Sequence, residues 1–513
     1  MWEKIRRGIT ALFVGHLIST ACNFLLVPLF LAKWSPTRYG EWLVLFSLAG
    51  YLSLLDLGRN TATANQLTQL HTQKNTAGYI CCLHSSLALH LLLATAGTLL
   101  LIGVVPWLPL QSWFELKTVS RPEAIWAFLI LGANVLWSIP AGLVASLYRT
   151  VGQFARAQWI GNIQNIAVFL ALTGVLLLKG GFRTAALSQS LILMLISGYI
   201  VWDLRRILPS VPIGISQARL SVIRALITPS LFFFVVTVAS LLVVQAPVLI
   251  IASAMGGTAV AVFAISRGLA NLVREITDPL NAVLTPELTR LEIRGELSAL
   301  RSLHCTCIVL LTTLAIAAAA ALWFESADVI HVWTRGRLNA DPILMRLLLA
   351  HLVFQCPWFA SSTFTMAANR HRQVAFFMLA SALIGVAAAI VLTRCFGTYG
   401  VPMGLILGEV VACYHFVLRD TCRMLGENYA AFARKVWVGT ASVAALTLSA
   451  GWLAHQIAYN FWFPYRWLVV GLTTMTVASL VTWRFWLNAE NRAALSRIRL
   501  MEFLPAQPVR GSS

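Results

Sequence analysis

Residues 231–255 read LFFFVVTVASLLVVQAPVLIIASAM, twenty-five consecutive positions without an ionisable side chain. As a helix this run rises roughly 37 Å, enough to cross a hydrocarbon core of about 30 Å. A second uncharged run, CIVLLTTLAIAAAAALWF, covers 307–324. Between them FAISRGLANLVREITDP, residues 263–279, carries Arg267, Arg274, Glu275 and Asp278. The chain reads as a membrane protein that keeps ionisable groups among its apolar segments.

Composition agrees. Of 513 residues 58% are hydrophobic and only 11% charged, against about 25% charged in soluble domains. Lys and Arg outnumber Asp and Glu by 38 to 19, but they are scattered between apolar runs and form no basic face for nucleic acid. The nine cysteines lack CxxC spacing and a histidine at zinc-ligand distance, and read as small hydrophobes. The start, MWEKIRRGITALFVGHLIST, is basic and then apolar. Its run continues to Leu31 without an A-x-A site, too long for the core of a signal peptide, and is read as the first span.

Fourteen runs are long enough to span as helices, near 8–32, 41–58, 79–105, 124–147, 158–178, 184–203, 226–254, 257–286, 304–324, 343–368, 374–394, 400–419, 434–456 and 463–486. With the N-terminus inside, 25 basic residues fall on that side and 11 on the other, leaving Arg267 and Arg274 within a span. The bias predicts cytoplasmic termini and an even number of crossings. Trp34, Trp107, Trp202, Trp437, Trp462 and Trp483 fall at run ends, as interfacial belts require. No predicted loop exceeds about 25 residues, so the sequence holds no separate soluble domain.

An internal repeat is legible. Pro28 and Pro247 stand 219 residues apart in the first and seventh spans, Pro140 and Pro357 217 apart in the fourth and tenth, and Gly181 and Gly400 219 apart in turns. Two matched helix prolines and a matched turn predict two six-helix lobes of equal orientation, related by an axis along the membrane normal. The expected division is an N-lobe at 1–215, a C-lobe at 216–425, two added helices at 426–490 and a cytoplasmic tail at 491–513.

On a helix, Arg267, Asn271, Arg274 and Asp278 share one face. A charge near the bilayer centre costs at least about 2.5–3.5 kcal/mol, so the stripe must face a bundle interior or a watery cavity. Arg274 and Asp278 can pair at i,i+4. Arg267 has no acid one turn away. Either its fork is free for a phosphate, or it pairs with Asp56 or Glu409 on another helix. His16, Ser19 and Asn23 share a face of the first span and fit sugar hydroxyls or plain helix packing equally. Asp56 closes the second span and reads as a substrate contact, a cap, or a partner of Arg59. Glu409, a lone acid in the twelfth span, is either a proton carrier or a neutral acid bonded to a neighbour. Glu409 and Asp278 are the candidates for ion coupling. His90, His351 and His415 read as core histidines.

VPLFLAKWSPTRYGEWLVLFSLAGYLSLLDLGRNTATA, with a proline in the first span, Tyr39-Gly40 in the loop and Asp56-x-Gly58 closing the second span, resembles the start of the polysaccharide and O-antigen flippases of the multidrug, oligosaccharidyl-lipid and polysaccharide exporter superfamily. ANRHRQVAFFMLASALIGVAAAIVLTRCFGTYGVPMGLILGEVV is similar to their spans 10 to 12. The resemblance implies a non-enzymatic transporter of the bacterial inner membrane. It would move an undecaprenyl-diphosphate-linked oligosaccharide from the cytoplasmic to the outer leaflet by alternating access, alongside polymerase and ligase machinery. It also implies a diphosphate contact at Arg267. Arg274, Asn271, His16, Asn23 and Asp56 are the further candidates to line the path, read from the helix faces and ends they occupy. No cofactor is implied. A sodium site built on an acid in span 7 has no counterpart here, since that span offers only Ser230, Thr237, Ser240 and Gln245, so protons or the membrane potential remain as drivers. A drug exporter of the same superfamily and an intramembrane polymerase or ligase are the competing readings. The first would want acidic walls, and the second a large periplasmic loop.

Overall fold

The computed structural model describes residues 2–278, 288, 291–292, 294–368 and 371–487. The predicted end of span 8 (279–286) and the tail 491–513 lie outside the described residues. Described elements are all helical: α1 (Trp2–Lys33), α2 (Pro36–Gly50), α3 (Thr76–Val104), α4 (Arg121–Thr150), α5 (Phe154–Leu177), α6 (Phe182–Ile207), α7 (227–255), α8 (257–278), α9 (Leu297–Thr334), α10 (Pro342–Ala367), α11 (His371–Phe396), α12 (Gly400–Gly408, continued through a π turn to Leu425), α13 (Tyr429–Ile457) and α14 (Phe463–Val481). The chain is a multi-pass all-α membrane protein.

Eleven of the described helices are long and apolar enough to cross a bilayer, or twelve when α2 is joined to Arg59–Thr72, which follows it at a 41° bend. Two of the twelve, of 49 and 54 residues, are far longer than the roughly 20 residues one crossing needs. Each is two crossings folded back at glycine, which brings the total to fourteen.

In the first, Gly256 takes φ 77°, a left-handed backbone that glycine alone adopts freely. Arg267 Nη1 donates to Val244 O at 2.7 Å. These residues lie eleven after and twelve before Gly256, so α7 and α8 run antiparallel, side by side. In the second, Gly397 turns the chain (φ 60°). A Cβ on Gly400, Gly404 or Gly408 would lie 2.3–2.4 Å from the backbone of Leu392, Ala389 and Ser381. One glycine per turn therefore lets α11 and α12 touch main chain to main chain, as small-residue stripes do in membranes.

By contacts the chain forms two compact units. The first holds Met1–Leu269, Val329–Leu347 and Ala375–Glu409, and the second Ala270–Asp328, Leu348–Val374 and Val410–Ser513. Within the first, α1 lies on α5, where Asn162 Nδ2 donates to Ala11 O at 3.2 Å. Phe30, Trp34, Tyr39, Trp42 and Phe182 form an aromatic cluster with ring centroids 4.9–5.9 Å apart. Within the second, α9 carries α13 and α14. Thr313 and Thr482 hydroxyls meet at 2.7 Å, and the wholly buried Glu325 receives His455 Nδ1 at 2.7 Å and Arg466 Nε at 2.9 Å. Arg466 also pairs with Asp328. This paired acid explains why α9 runs to Thr334, ten residues past the apolar run: ionisable groups extend a helix in the membrane once each has a partner.

Pro28, Pro140, Pro247 and Pro357 all sit inside helices. Gly181 and Gly400 both stand at helix starts.

Candidate functional site

Arg267 projects from α8 in the first unit, half-buried. The α7–α8 hairpin fixes its position. Pro247 deprives the carbonyl of Val243 of its helical donor and loosens that turn of α7, and the next carbonyl, Val244 O, takes Arg267 Nη1. The guanidinium also lies 5.1 Å from the centre of the Phe263 ring, in cation–π range. Among the described residues no carboxylate comes within ion-pair distance of it. Its remaining donors are not among the buried unpaired atoms and stay accessible. Asp56, one of the two acids considered as partners from the sequence, stands against His90 instead.

Trp333, at the end of α9, connects this region to α1. Its ring stacks on Phe24 at 4.1 Å, its Nε1 donates to Phe24 O at 2.7 Å, and its edge approaches Gly268. Asn23 and Arg267 are the sequence neighbours of the two residues that Trp333 bridges. His16 and Asn23 are both exposed on α1. Sequence reasoning missed Trp333, which lay beyond the predicted end of span 9.

The other candidates are distributed more widely. Helical hydrogen bonding restarts at Asn271, whose carbonyl accepts Arg274 N and Glu275 N, at the border where the second unit begins. Arg274 and Asp278 pair at 3.5 Å, as their spacing predicts, and Arg274 lies 5.9 Å from the Phe359 ring. Asp56 Oδ1 accepts Asn60 N at 3.2 Å and stands 3.7 Å from His90 Nε2, which is the capping geometry, while Arg59 turns away to Ile223 O. Glu409 is buried and opens the π turn Glu409–Tyr414, a wide turn that recurs at functional positions in helices. His415 bonds the Tyr429 hydroxyl at 2.8 Å.

At one end of the first unit the start of α2 meets the α7–α8 turn. Thr37 and Thr258 hydroxyls meet at 2.7 Å, and Gly40 abuts the carbonyl of Gly257. Glu41, fully buried, accepts Lys117 N at 2.5 Å, Thr118 N at 2.8 Å and Val119 N at 3.1 Å, as well as the Thr118 hydroxyl. Arg337 Nη1 adds a bond to Leu31 O. The start of α2, the 115–119 loop and the α7–α8 turn thus pack into one plug.

No protein-family model matches the sequence, and no curated protein matches it. Solved structures do match. The lipid II flippase MurJ in an inward closed conformation superposes with TM-score 0.70 at 12% identity, covering 93% of this chain and 98% of that one. An inward-facing multidrug-resistance transporter of the MATE family, MOP superfamily, gives 0.63 at 17%, over 82% and 99%. A MOP superfamily transporter from Pyrococcus furiosus, described as having a binding pocket of reversed polarity, gives 0.60 at 14%, over 82% and 95%. At these identities the likeness is one of fold: the chain folds as MOP superfamily transporters do.

Proposed function

We propose that the protein is a MOP superfamily flippase of the bacterial inner membrane, with both termini cytoplasmic. Its cargo would be an undecaprenyl-diphosphate-linked oligosaccharide, carried to the outer leaflet by alternating access between the two sequence halves, with the polymerase and ligase of the same glycan as partners. One observation carries the reading: the Arg267 guanidinium is steadied by a backbone carbonyl and an aromatic ring, yet keeps donors accessible and has no carboxylate partner among the described residues. That arrangement suits a phosphate, which accepts paired N–H bonds from an arginine fork. Asn23 and His16 on the exposed face of α1 would meet the sugar, and the plug at Thr37, Gly40 and Gly257 would be the closed outer gate. Asn271 and the Arg274–Asp278 pair would line the continuation of the path.

An inside-negative potential drives an anion outward by about 2.3 kcal/mol per charge per 100 mV, so a diphosphate gains several kcal/mol without a coupled ion. Glu409 and Asp278 would serve where a proton is carried as well. Arg267→Ala is expected to abolish complementation of a flippase-deficient strain, and Arg267→Lys to weaken it. Full complementation by Arg267→Ala would overturn the assignment. Export of cationic drugs is the second reading, motivated by the fold shared with MATE transporters. Efflux of a lipophilic cation that improves in Arg267→Ala would favour it.

A further inference from the structure

His90 stands at the middle of α3 and is fully buried. Neither of its ring nitrogens has a hydrogen-bond partner among the described residues. Native proteins rarely bury polar atoms in this state, and where they do the atoms mark a reactive group or the place of a bound species. Facing the ring is Asp56, whose Oδ1 lies 3.7 Å from His90 Nε2. That gap is too long for a hydrogen bond and short enough for one proton to close. The Asp56 side chain is 19% exposed, so it links the sealed histidine to the accessible side of the crossing.

The pair sits where the second crossing breaks. Leu57 (φ 53°) and Gly58 (φ 70°) follow Asp56 in left-handed backbone, and Arg59–Thr72 resumes at a 41° bend. Asp56 Oδ1 also accepts Asn60 N at 3.2 Å, the long limit of such a bond, so one oxygen both steadies the break and faces the histidine. Asn60 Oδ1 is itself buried without a partner. Gly58 presses the break against α7, since a Cβ there would lie 2.4 Å from Phe234 N. Charged and titratable groups on the surrounding elements are few. Residues 124–147 of α4 and all of α7 hold none. Arg59 donates to Ile223 O, and Arg224 beyond it is exposed. On α3, His84 is bonded to Pro212 O and Gln217 N, and Tyr79 to the Thr150 hydroxyl. Tyr51 opens the short helix that Asp56 closes.

We propose that Asp56 and His90 form a proton-binding site. One proton, taken up through Asp56, is held between Asp56 Oδ1 and His90 Nε2, and the carboxylate–imidazole pair loses its single negative charge. Neutralising a charge within a span removes much of the cost of keeping it there. The oxygen drawn to His90 leaves Asn60 N, so the same proton loosens the turn at Leu57 and Gly58. In secondary transporters the ends of interrupted spans hold coupling ions, and here the interrupted span supplies the acid. The assignment stands whatever cargo is carried and does not rest on Arg267.

The test uses the full-length chain in lipid bilayers, without cargo, labelled with ¹⁵N-histidine. The His90 signal is the one missing from His90→Gln, and it is followed by NMR from about pH 8 to about pH 4. Nε2 should pass from an unbonded to a protonated or strongly hydrogen-bonded state as the pH falls. In Asp56→Asn the change should need at least a tenfold higher proton concentration, because the carboxylate that shares the proton is gone. Asp56→Glu should restore part of it. A His90 Nε2 signal that stays constant across the range, or that titrates identically in Asp56→Asn, would overturn the site. Should Asp56→Asn fail to fold, Arg59→Gln removes the neighbouring cation and keeps a donor for Ile223 O. The proton should then bind at a several-fold lower proton concentration, and an unmoved titration would refute the pair.

Discussion

Gly40 and Gly257 meet so closely that a Cβ on Gly40 would stand 1.8 Å from the carbonyl oxygen of Gly257. Neither backbone tolerates a methyl group without separation, and the neighbouring Thr37–Thr258 hydroxyl pair fixes how far apart the surfaces sit. Gly40→Ala should therefore disfavour this contact. With cysteines at 37 and 258, oxidative cross-linking of the otherwise unchanged protein should be rapid and should stop transport. Adding Gly40→Ala should slow it about tenfold or more, the effect of roughly 1.4 kcal/mol. Equal cross-linking rates would show that the contact opens without regard to these glycines.

Glu41 holds the 117–119 backbone through three N–H groups and one hydroxyl. Glu41→Ala leaves those donors without an acceptor, at about 1–3 kcal/mol each where water cannot enter. A loss of about 3 kcal/mol or more is expected, seen as a lower melting temperature of the purified protein. Glu41→Gln, which keeps one carbonyl oxygen, should lose less.

The Glu325 node predicts a reversal. Arg466→Ala strips a wholly buried carboxylate of its main counter-charge, and removing one partner of such a pair costs about 3–5 kcal/mol. The double change Glu325→Gln with Arg466→Gln should be less damaging than Arg466→Ala alone. Proteolysis of the 458–462 turn reports it: rapid in the single variant, slower in the double.

Gly404→Leu should separate α11 from α12, since even a Cβ there lies 2.4 Å from Ala389 N. Loss of membrane expression is expected, with Gly404→Ala intermediate; normal levels of the leucine variant would argue against the glycine contact.

Most of the fold was legible because the bilayer leaves few choices: uncharged runs of twenty or more must be helices. The fourteen runs match α1 to α14 in order. Helix ends were less legible, because they depend on partners. The α9 helix runs past its apolar stretch because His455 and Arg466 satisfy Glu325, and α2 continues as Arg59–Thr72 beyond the capped Asp56. In the site, the Arg274–Asp278 pair followed from spacing alone. Arg267 could be placed but not its carbonyl partner, since Val244 comes alongside only through a turn at Gly256. The glycine contacts in the plug and between α11 and α12 rest on approach distances that carry no periodic hydrophobic signal, although the spacing of Gly400, Gly404 and Gly408 was there to be seen.

The hairpins at Gly256 and Gly397 join crossings seven with eight, and eleven with twelve, by turns of only a few residues. Each pair is therefore a local unit: Arg267 and the Val244 carbonyl lie 23 residues apart in one hairpin and need no distant element to meet.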